Sequence, residues 1–340
     1  MLSAADARWE SFLATTPHDF YHLPAYVTLC ANQDDGEAAA ILVSTDENAL
    51  MLPLVIREVP GGGVDATSPY GYPGPITAGG GGEEFALRAL EAGIEILADR
   101  GVISLFVRGH PLLGAIPAGV GEVARGGDTV SVDLTRSTEE HWRETMSGHR
   151  NQINRALKSG RRVMFDETWA NFDVFKRLYQ RTMERVSADD FYFFDGTYFD
   201  GLRTALGDRL HLCLVEADGV VATAGLFVET CGIVQFHLAG SDQDHFSEGL
   251  TKVMLHFVRA WAKERGDTVF HLGGGLGQPD DALLRFKSGF SPRRHRYETL
   301  RVVIDRVEYD RLAQYHVSGV SGPVRSGYFP AYRAPVAERA

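Results

Sequence analysis

Apolar and polar positions along the chain spell out the same order of elements twice. Residues 41–56 read as an apolar strand, a polar turn at Ser44-Thr45-Asp46-Glu47, and a second strand. Residues 212–228 read the same way around Asp218-Gly219, a dipeptide suited to a two-residue hairpin turn. Each hairpin is followed by an aromatic- and glycine-containing stretch, 68–75 and 235–240. A helix follows each: Phe85, Leu90, Ile94 and Leu97 share one face in the first copy, and Phe246, Leu250, Val253, Met254, Phe257 and Trp261 do so in the second. Both helices end on a glycine stop signal, Arg100-Gly101 and Arg265-Gly266, and feed short apolar strands over 101–107 and 266–272. The pattern predicts two copies of one α/β unit.

Between the copies, 137–158 reads as one helix opened by Ser137, with Glu140 three residues on as its capping-box partner. Phe172, Phe175, Leu178, Tyr179 and Met183 mark the next helix. Near the far end, the apolar strand over 269–272 runs into Gly273-Gly274-Gly275. An amphipathic helix then follows Asp280-Asp281 and carries Leu284-Arg285-Phe286-Lys287-Ser288-Gly289-Phe290. The tail from Tyr309 gives one helical stretch and then glycine, proline and serine. At 340 residues the chain suits two domains, here 5–133 and 134–305, with 306–335 available to complete the first.

Composition, 44 % apolar and 23 % charged, is that of a globular protein. The first residues lack a basic region followed by an apolar core, and no apolar run approaches the roughly 20 residues that span a bilayer. Cys30, Cys213 and Cys231 lack ligand-like spacing, so packed thiols and a reduced cytoplasm are expected. The formal net charge is −11, yet Arg143, Arg150, Arg155, Lys158, Arg161 and Arg162 form one basic segment. Arg285, Lys287, Arg293, Arg294, Arg296 and Arg301 form another. Two solvated faces and a surface for a polyanion both fit that distribution.

No Ser-His-Asp order, cysteine–histidine nucleophile, metal-ligand cluster or phosphate loop is present. Gly273-Gly274-Gly275-Leu276-Gly277 lacks the spacing of a dinucleotide fingerprint. Taken alone, Lys287 is either one more cation in a basic helix or a charge held at the mouth of a sheet. Arg150 reads equally as a solvated helix arginine or an anion ligand. Tyr70 and Tyr72 lie in a turn-rich stretch, and Tyr192 within Phe191-Tyr192-Phe193-Phe194. His237 and His271 sit on strands, where structural histidines predominate.

Hairpin, central helix and following strand resemble the fold of the GCN5-related (GNAT) N-acetyltransferases. In that family a glycine-rich loop at the central helix start holds the coenzyme A pyrophosphate on backbone N–H groups. The equivalent stretch here, 241–250, lacks the glycine pair and places Asp242, Asp244 and Glu248 there instead; the first copy has Gly79-Gly80-Gly81-Gly82, then Glu83-Glu84. Two tandem copies ending in strand, glycines and Phe-Lys resemble the Fem-type aminoacyltransferases. The stretches carrying the resemblance are Tyr70-Gly71-Tyr72-Pro73-Gly74-Pro75, residues 149–160 beginning His149-Arg150-Asn151, and residues 284–290 around Phe286-Lys287. The long helical-hairpin insertion that some members use to contact tRNA is not visible.

The resemblance implies two GNAT-like α/β (α+β) domains, each a mixed central sheet flanked by helices. It implies amide formation from aminoacyl-tRNA onto an amine of a cell-wall precursor or specialised metabolite. Lys287 is then expected to stabilise charge on the attacked carbonyl, with Phe286 shaping its pocket. Arg150, Tyr70, Tyr72, Tyr192, His237 and His271 are expected to contact substrates. No metal and no resident cofactor is expected. An acyl-CoA-dependent N-acyltransferase and a non-catalytic module for an anionic metabolite stand as alternatives.

Overall fold

A computed structural model describes residues 1–276, 281–319 and 324–336. Gly277 and Asp280 of the glycine-to-helix stretch, and residues 320–323 of the tail, lie outside them. In chain order the strands are β1 (Leu2–Ser3), β2 (Glu37–Ser44), β3 (Ala49–Glu58), β4 (Val64–Thr67), β5 (Ile76–Ala78), β6 (Val102–Arg108) and β7 (Glu122–Asp133). They continue with β8 (Arg162–Phe165), β9 (Leu210–Ala217), β10 (Val220–Thr230), β11 (Ile233–Ser241), β12 (Val269–Gly274) and β13 (Arg294–Val303). The helices are α1 (Ala7–Leu13), α2 (Pro24–Gln33), α3 (Gly82–Ala98), α4 (Thr138–Glu144), α5 (Ser147–Lys158), α6 (Phe172–Arg185), α7 (Gly196–Leu206), α8 (Leu250–Arg265), α9 (Ala282–Ser288) and α10 (Arg306–Gly319).

The chain forms two compact units, Met1–Gly126 with Arg296–Ala340, and Gly127–His295. In the first, the strand order is β1-β2-β3-β4-β6-β13, with β5 paired to β3. All neighbours are antiparallel except β4 and β6, joined by the crossover that contains α3. Phe85, Ala89, Leu90 and Leu97 of α3 pack on Ile41, Leu50, Leu52, Leu54, Leu105, Val107 and Leu300 of the sheet. The last strand of this sheet, β13, comes from the far end of the chain and runs antiparallel to β6.

The second unit repeats the plan with order β7-β12-β11-β10-β9-β8, its one parallel pair, β11 and β12, joined by α8. Asp218 and Gly219, at φ +52° and +83°, form the left-handed turn between β9 and β10 that the Asp-Gly pair specifies. Ile153 and Ala156 of α5 and Leu250, Val253, Met254 and Val258 of α8 bury one face of this sheet, against Val130, Val215, Phe227, Val234, Phe270 and Leu272. On the other face α6 packs against β10 and β11. There Gly240 leaves no room for a Cβ, because the backbone of Leu178 and Tyr179 lies directly on it.

Three local expectations need correction. The helix expected over 137–158 is two helices. Ser137 and Glu140 make the capping box, but Thr145 turns extended (ψ 126°) and α5 starts anew at Ser147. The counterpart of β11 in the first unit is β4, not the loop over 68–75, since it is β4 that pairs in parallel with the strand after the helix. Phe246 is not on the α8 face: it sits in a preceding 3-10 turn and is 65 % exposed, and α8 begins after Gly249 in the left-handed conformation.

Candidate functional site

The Phe286-Lys287 pair is positioned by the end of β12 and by α9, both in the second unit. β12 loses its regular pairing with β7 between His271 and Gly273, and Gly273 takes φ +77°. The kink has a packing cause. A Cβ on Gly273 would stand 3.3 Å from the Lys287 ammonium, and one on Gly275 would run into the Asp281 carboxylate. The glycine run therefore clears space for two charged side chains. Asp281 is the N-cap of α9, its Oδ1 accepting from the Leu284 amide at 2.9 Å.

From the last turn of α9, Lys287 reaches back to β12 and donates from Nζ to the Gly274 carbonyl at 2.6 Å. The residue is 8 % exposed, and its Nζ lies 5.8 Å from the Phe236 ring centroid. Burial pushes its pKa down to about 8, the Asp281 charge opposing the shift. At neutral pH it is still mainly an ammonium. It makes a single hydrogen bond among the described residues, so two N–H donors remain.

Phe286 is half-buried, its ring 5.6 Å from His149 and 5.9 Å from Phe290, with the Lys252 ammonium 5.3 Å above it. His149 Nε2 donates to the Phe286 carbonyl at 2.9 Å, and the Met146 amide donates to Gly289 O at 2.8 Å. Burial lowers the His149 pKa, followed by the opposing effect of that hydrogen bond. Thus the start of α5 clamps the end of α9. Histidine was legible as part of the 149–160 stretch, but its use as a clamp was not.

Arg150, beside it, donates from Nη1 to the carbonyls of Thr145 (2.5 Å), Trp142 (3.2 Å) and Arg143 (3.2 Å). Arg259, 3 % exposed, adds bonds to Thr145 Oγ1 at 3.0 Å and His141 O at 3.4 Å. Two guanidiniums thus cap the C-terminal end of α4, where carbonyl oxygens lack helical partners.

The remaining candidates are spread out. His271 is fully buried and its Nδ1 donates to Oε1 of Gln235 at 2.7 Å, across the parallel β11–β12 register. Their neighbours Val234 and Phe270 point into the α8 core, so Gln235 and His271 lie on the opposite face of the sheet, while His237 sits at a bulge in the β10–β11 register. Strand alternation of Gln235 with His237 was visible; the pairing of Gln235 with His271 follows from register alone. Tyr192 sits between α6 and α7, its carbonyl accepting from Tyr179 at 2.9 Å. Tyr70 and Tyr72 belong to the first unit. The Tyr70 carbonyl accepts from Tyr26 at 3.0 Å, and Tyr72 packs 5.2 Å from Tyr297 and 6.0 Å from Tyr21.

Most cations of the two basic segments have local partners. Arg161 pairs with Glu248 (2.8 Å) and Asp218 (2.6 Å), Arg162 with Glu216, and Arg293 with Asp133. Arg155 and Lys158, with Asn151, Asn154 and Ser159, line an open pocket of about 520 Å³ on the outer side of α5. At the start of α8, Gln152 Oε1 lies within 2.7 Å of where a Cβ on Gly249 would be. That side chain and the Arg161–Glu248 pair flank the turn before α8, whose residues Phe246 and Ser247 are exposed. Of the described residues, Asp218, His245 and Glu248 come close enough to share an ion, but Arg161 already bridges both carboxylates.

Residues 145–288 match the family model described as Acetyltransferase (GNAT) domain. Among solved structures, FemX superposes with TM-score 0.69 at 13 % identity, covering 92 % of this chain and 98 % of that one. L-PGS from Bacillus licheniformis superposes with TM-score 0.57 at 14 % identity, covering 88 % and 92 %. No curated protein sequence matches. The chain accordingly shares the fold of FemX, two α/β domains each with a mixed sheet flanked by helices, and residues 145–288 carry the GNAT-domain match. The GNAT-domain match over 145–288 supports an acyltransferase kind of activity. No described helix is long and apolar enough to cross a membrane.

Proposed function

We propose that this protein is an N-acyltransferase that moves an aminoacyl group from tRNA to an amine of a cell-wall precursor or specialised metabolite. The observation that carries the reading is Lys287: a buried ammonium anchored on Gly274 O, with two N–H donors to offer at the end of β12. The acceptor amine attacks the ester carbonyl, the C–N bond forms, and negative charge grows on the carbonyl oxygen. Lys287 stabilises that oxyanion by hydrogen bonding in a site of low dielectric, an effect worth about 3–4 kcal/mol in comparable oxyanion sites. The C–O bond to the donor ribose then breaks, and the amine proton leaves to water or to the departing hydroxyl. The Phe236 ring, 5.8 Å from Nζ, shields the ammonium from water.

The tRNA donor is favoured by the acidic turn before α8, where Asp242, Asp244 and Glu248 repel a pyrophosphate. The Arg155–Lys158 pocket gives a basic surface on the same unit for a phosphate backbone. The competing donor is acyl-CoA, which the GNAT description of 145–288 favours. A binding module without chemistry is disfavoured by the burial of Lys287, since charge recognition alone does not require a desolvated lysine. The deciding experiment follows radiolabelled acyl groups from charged tRNA or from acyl-CoA into an amine pool, with and without ribonuclease. Transfer abolished by ribonuclease is expected. Ribonuclease-insensitive transfer from acyl-CoA assigns the other donor, and no transfer from either source by a folded chain rejects the catalytic reading.

A further inference from the structure

We propose that Lys252 is a second cationic contact for the acyl donor, holding the phosphate that lies one ribose away from the carbonyl met by Lys287. The placement is set within the second unit. Phe286 and Lys287 are consecutive residues in the last turn of α9. Lys287 turns to Gly274 O and the Phe236 ring. Phe286 turns to α5 and α8, where the Lys252 ammonium stands 5.3 Å from its ring centroid. Burial lowers the pKa of His149, the clamp on the Phe286 carbonyl, and the Lys252 charge adds to that shift. Two ammonium groups therefore flank one turn of α9.

The Lys252 charge is unspent. The residue is partly exposed and, among the described residues, has neither a hydrogen bond nor a carboxylate partner. Burial lowers its pKa, and no neighbouring charge contributes. Its place in the helix adds to the cost. It lies in the first turn of α8, which holds no acid, and a cation is disfavoured at that end of the helix dipole. The acids close to it in sequence are engaged elsewhere: Glu248 pairs with Arg161 at 2.8 Å, and Asp242 accepts from the Asp244 amide at 2.9 Å. Arg259, two turns further along α8, donates to Thr145 Oγ1 and His141 O, and Arg150 donates to the carbonyls that end α4. Lys252 thus keeps three N–H donors and a partly desolvated charge that folding alone does not favour.

An anion on Lys252 belongs to the molecule whose carbonyl meets Lys287, because only the Phe286 side chain separates Lys252 from the turn that carries both residues. In an aminoacyl ester of a 3′-terminal nucleotide, the acyl carbonyl is attached to the ribose. The nearest phosphodiester is on the 5′-oxygen of that same ribose. In an acyl-CoA the whole pantetheine arm separates the thioester from the pyrophosphate. Cations on the two sides of one helical turn suit the first arrangement. An ammonium serves a phosphodiester as a point charge, without the planar fork that a guanidinium would bring. The contact rests on the aminoacyl-ester reading of Lys287 and adds to it a named ligand for the donor phosphate.

Binding of adenosine 5′-monophosphate, adenosine and coenzyme A to the full chain is measured calorimetrically at low salt, with circular dichroism confirming each variant's fold. The native chain is expected to bind the monophosphate at least about tenfold more tightly than adenosine. Lys252→Met should remove that preference, while Lys252→Arg and Lys287→Met should keep it. A lysine that only packs on Phe286 gives no such preference. Should Lys252→Met fail to fold, Lys252→Gln carries the test. With charged tRNA as donor, the slope of log KM against log salt should flatten by about 0.7 in Lys252→Met, the share of one phosphate contact on a single strand. No saturable monophosphate binding to about 10 mM, equal binding of monophosphate and adenosine, or a preference that survives in folded Lys252→Met overturns the proposal. So does loss of the preference in Lys287→Met, or a larger loss for coenzyme A than for the monophosphate in Lys252→Met. Binding is read without turnover, so a chain that prefers the monophosphate through Lys252 yet transfers nothing from charged tRNA sinks the donor reading and leaves the phosphate contact standing.

Discussion

His149 Nε2 donates to the backbone carbonyl of Phe286 at 2.9 Å, joining two stretches 137 residues apart in the chain. This bond fixes the end of α9 against the start of α5, and so fixes where Lys287 reaches. Replacing His149 by alanine removes one of the two donors to the Phe286 carbonyl, leaving the Gly289 amide at 3.1 Å, and opens a gap beneath Phe286 and Phe290. The expected loss is about 1–3 kcal/mol in urea unfolding, with turnover falling further than that loss of folded protein explains. His149→Gln, whose amide can still donate, should recover part of the turnover. Unaltered turnover in a stable His149→Ala chain would break the link between clamp and chemistry.

Lys287→Met separates catalysis from stability. The buried ammonium is held at an energetic disadvantage, as its depressed pKa records, whereas methionine fills similar volume without charge. Stability should rise by about 1–2 kcal/mol while transfer drops about 10²–10³-fold. Comparing unfolding midpoints with single-turnover rates checks both halves. Retained transfer would remove Lys287 from the mechanism.

The same lysine predicts opposite pH trends for the two properties. Its folded pKa, about 8, lies below the ordinary lysine value of 10.5. Between those limits the unfolded chain holds a proton that the folded chain has released, so this group's contribution to stability increases with pH across that window. Below about pH 8 both states are protonated and the full burial penalty applies. Transfer that needs the ammonium should fall as pH climbs through about 8, just where stability gains. In Lys287→Met the stability slope assigned to this group should vanish; persistence of the slope would assign it elsewhere.

Gly275→Ala places a methyl group against the Asp281 carboxylate and displaces the N-cap of α9. A loss of about 1–2 kcal/mol is expected, together with a fall in transfer as Lys287 shifts. Gly101→Ala is the contrast: that glycine has φ +72° but open space around a Cβ, so it should show backbone strain of about 1 kcal/mol and unchanged transfer. Equal effects at the two positions would mean that packing at Gly275 is unimportant.

Periodicity and turn chemistry by themselves determined the hairpins, the helices α3, α6 and α8, and the duplicated order that gives both units one plan. Local sequence suffices there because a 3.6- or 2-residue repeat and an Asp-Gly turn act over a few residues. The Phe286-Lys287 pair was also legible, through its place after a strand, glycines and a helix cap. Tertiary structure alone decided that 137–158 breaks at Thr145, where Arg150 takes up freed carbonyls and Arg259 donates to the Thr145 hydroxyl. It alone set His271 against Gln235, and Lys252 over the Phe286 ring. Those partners are brought together by strand register and helix docking over long sequence separations, and a shift of one residue would turn every such side chain to the other face.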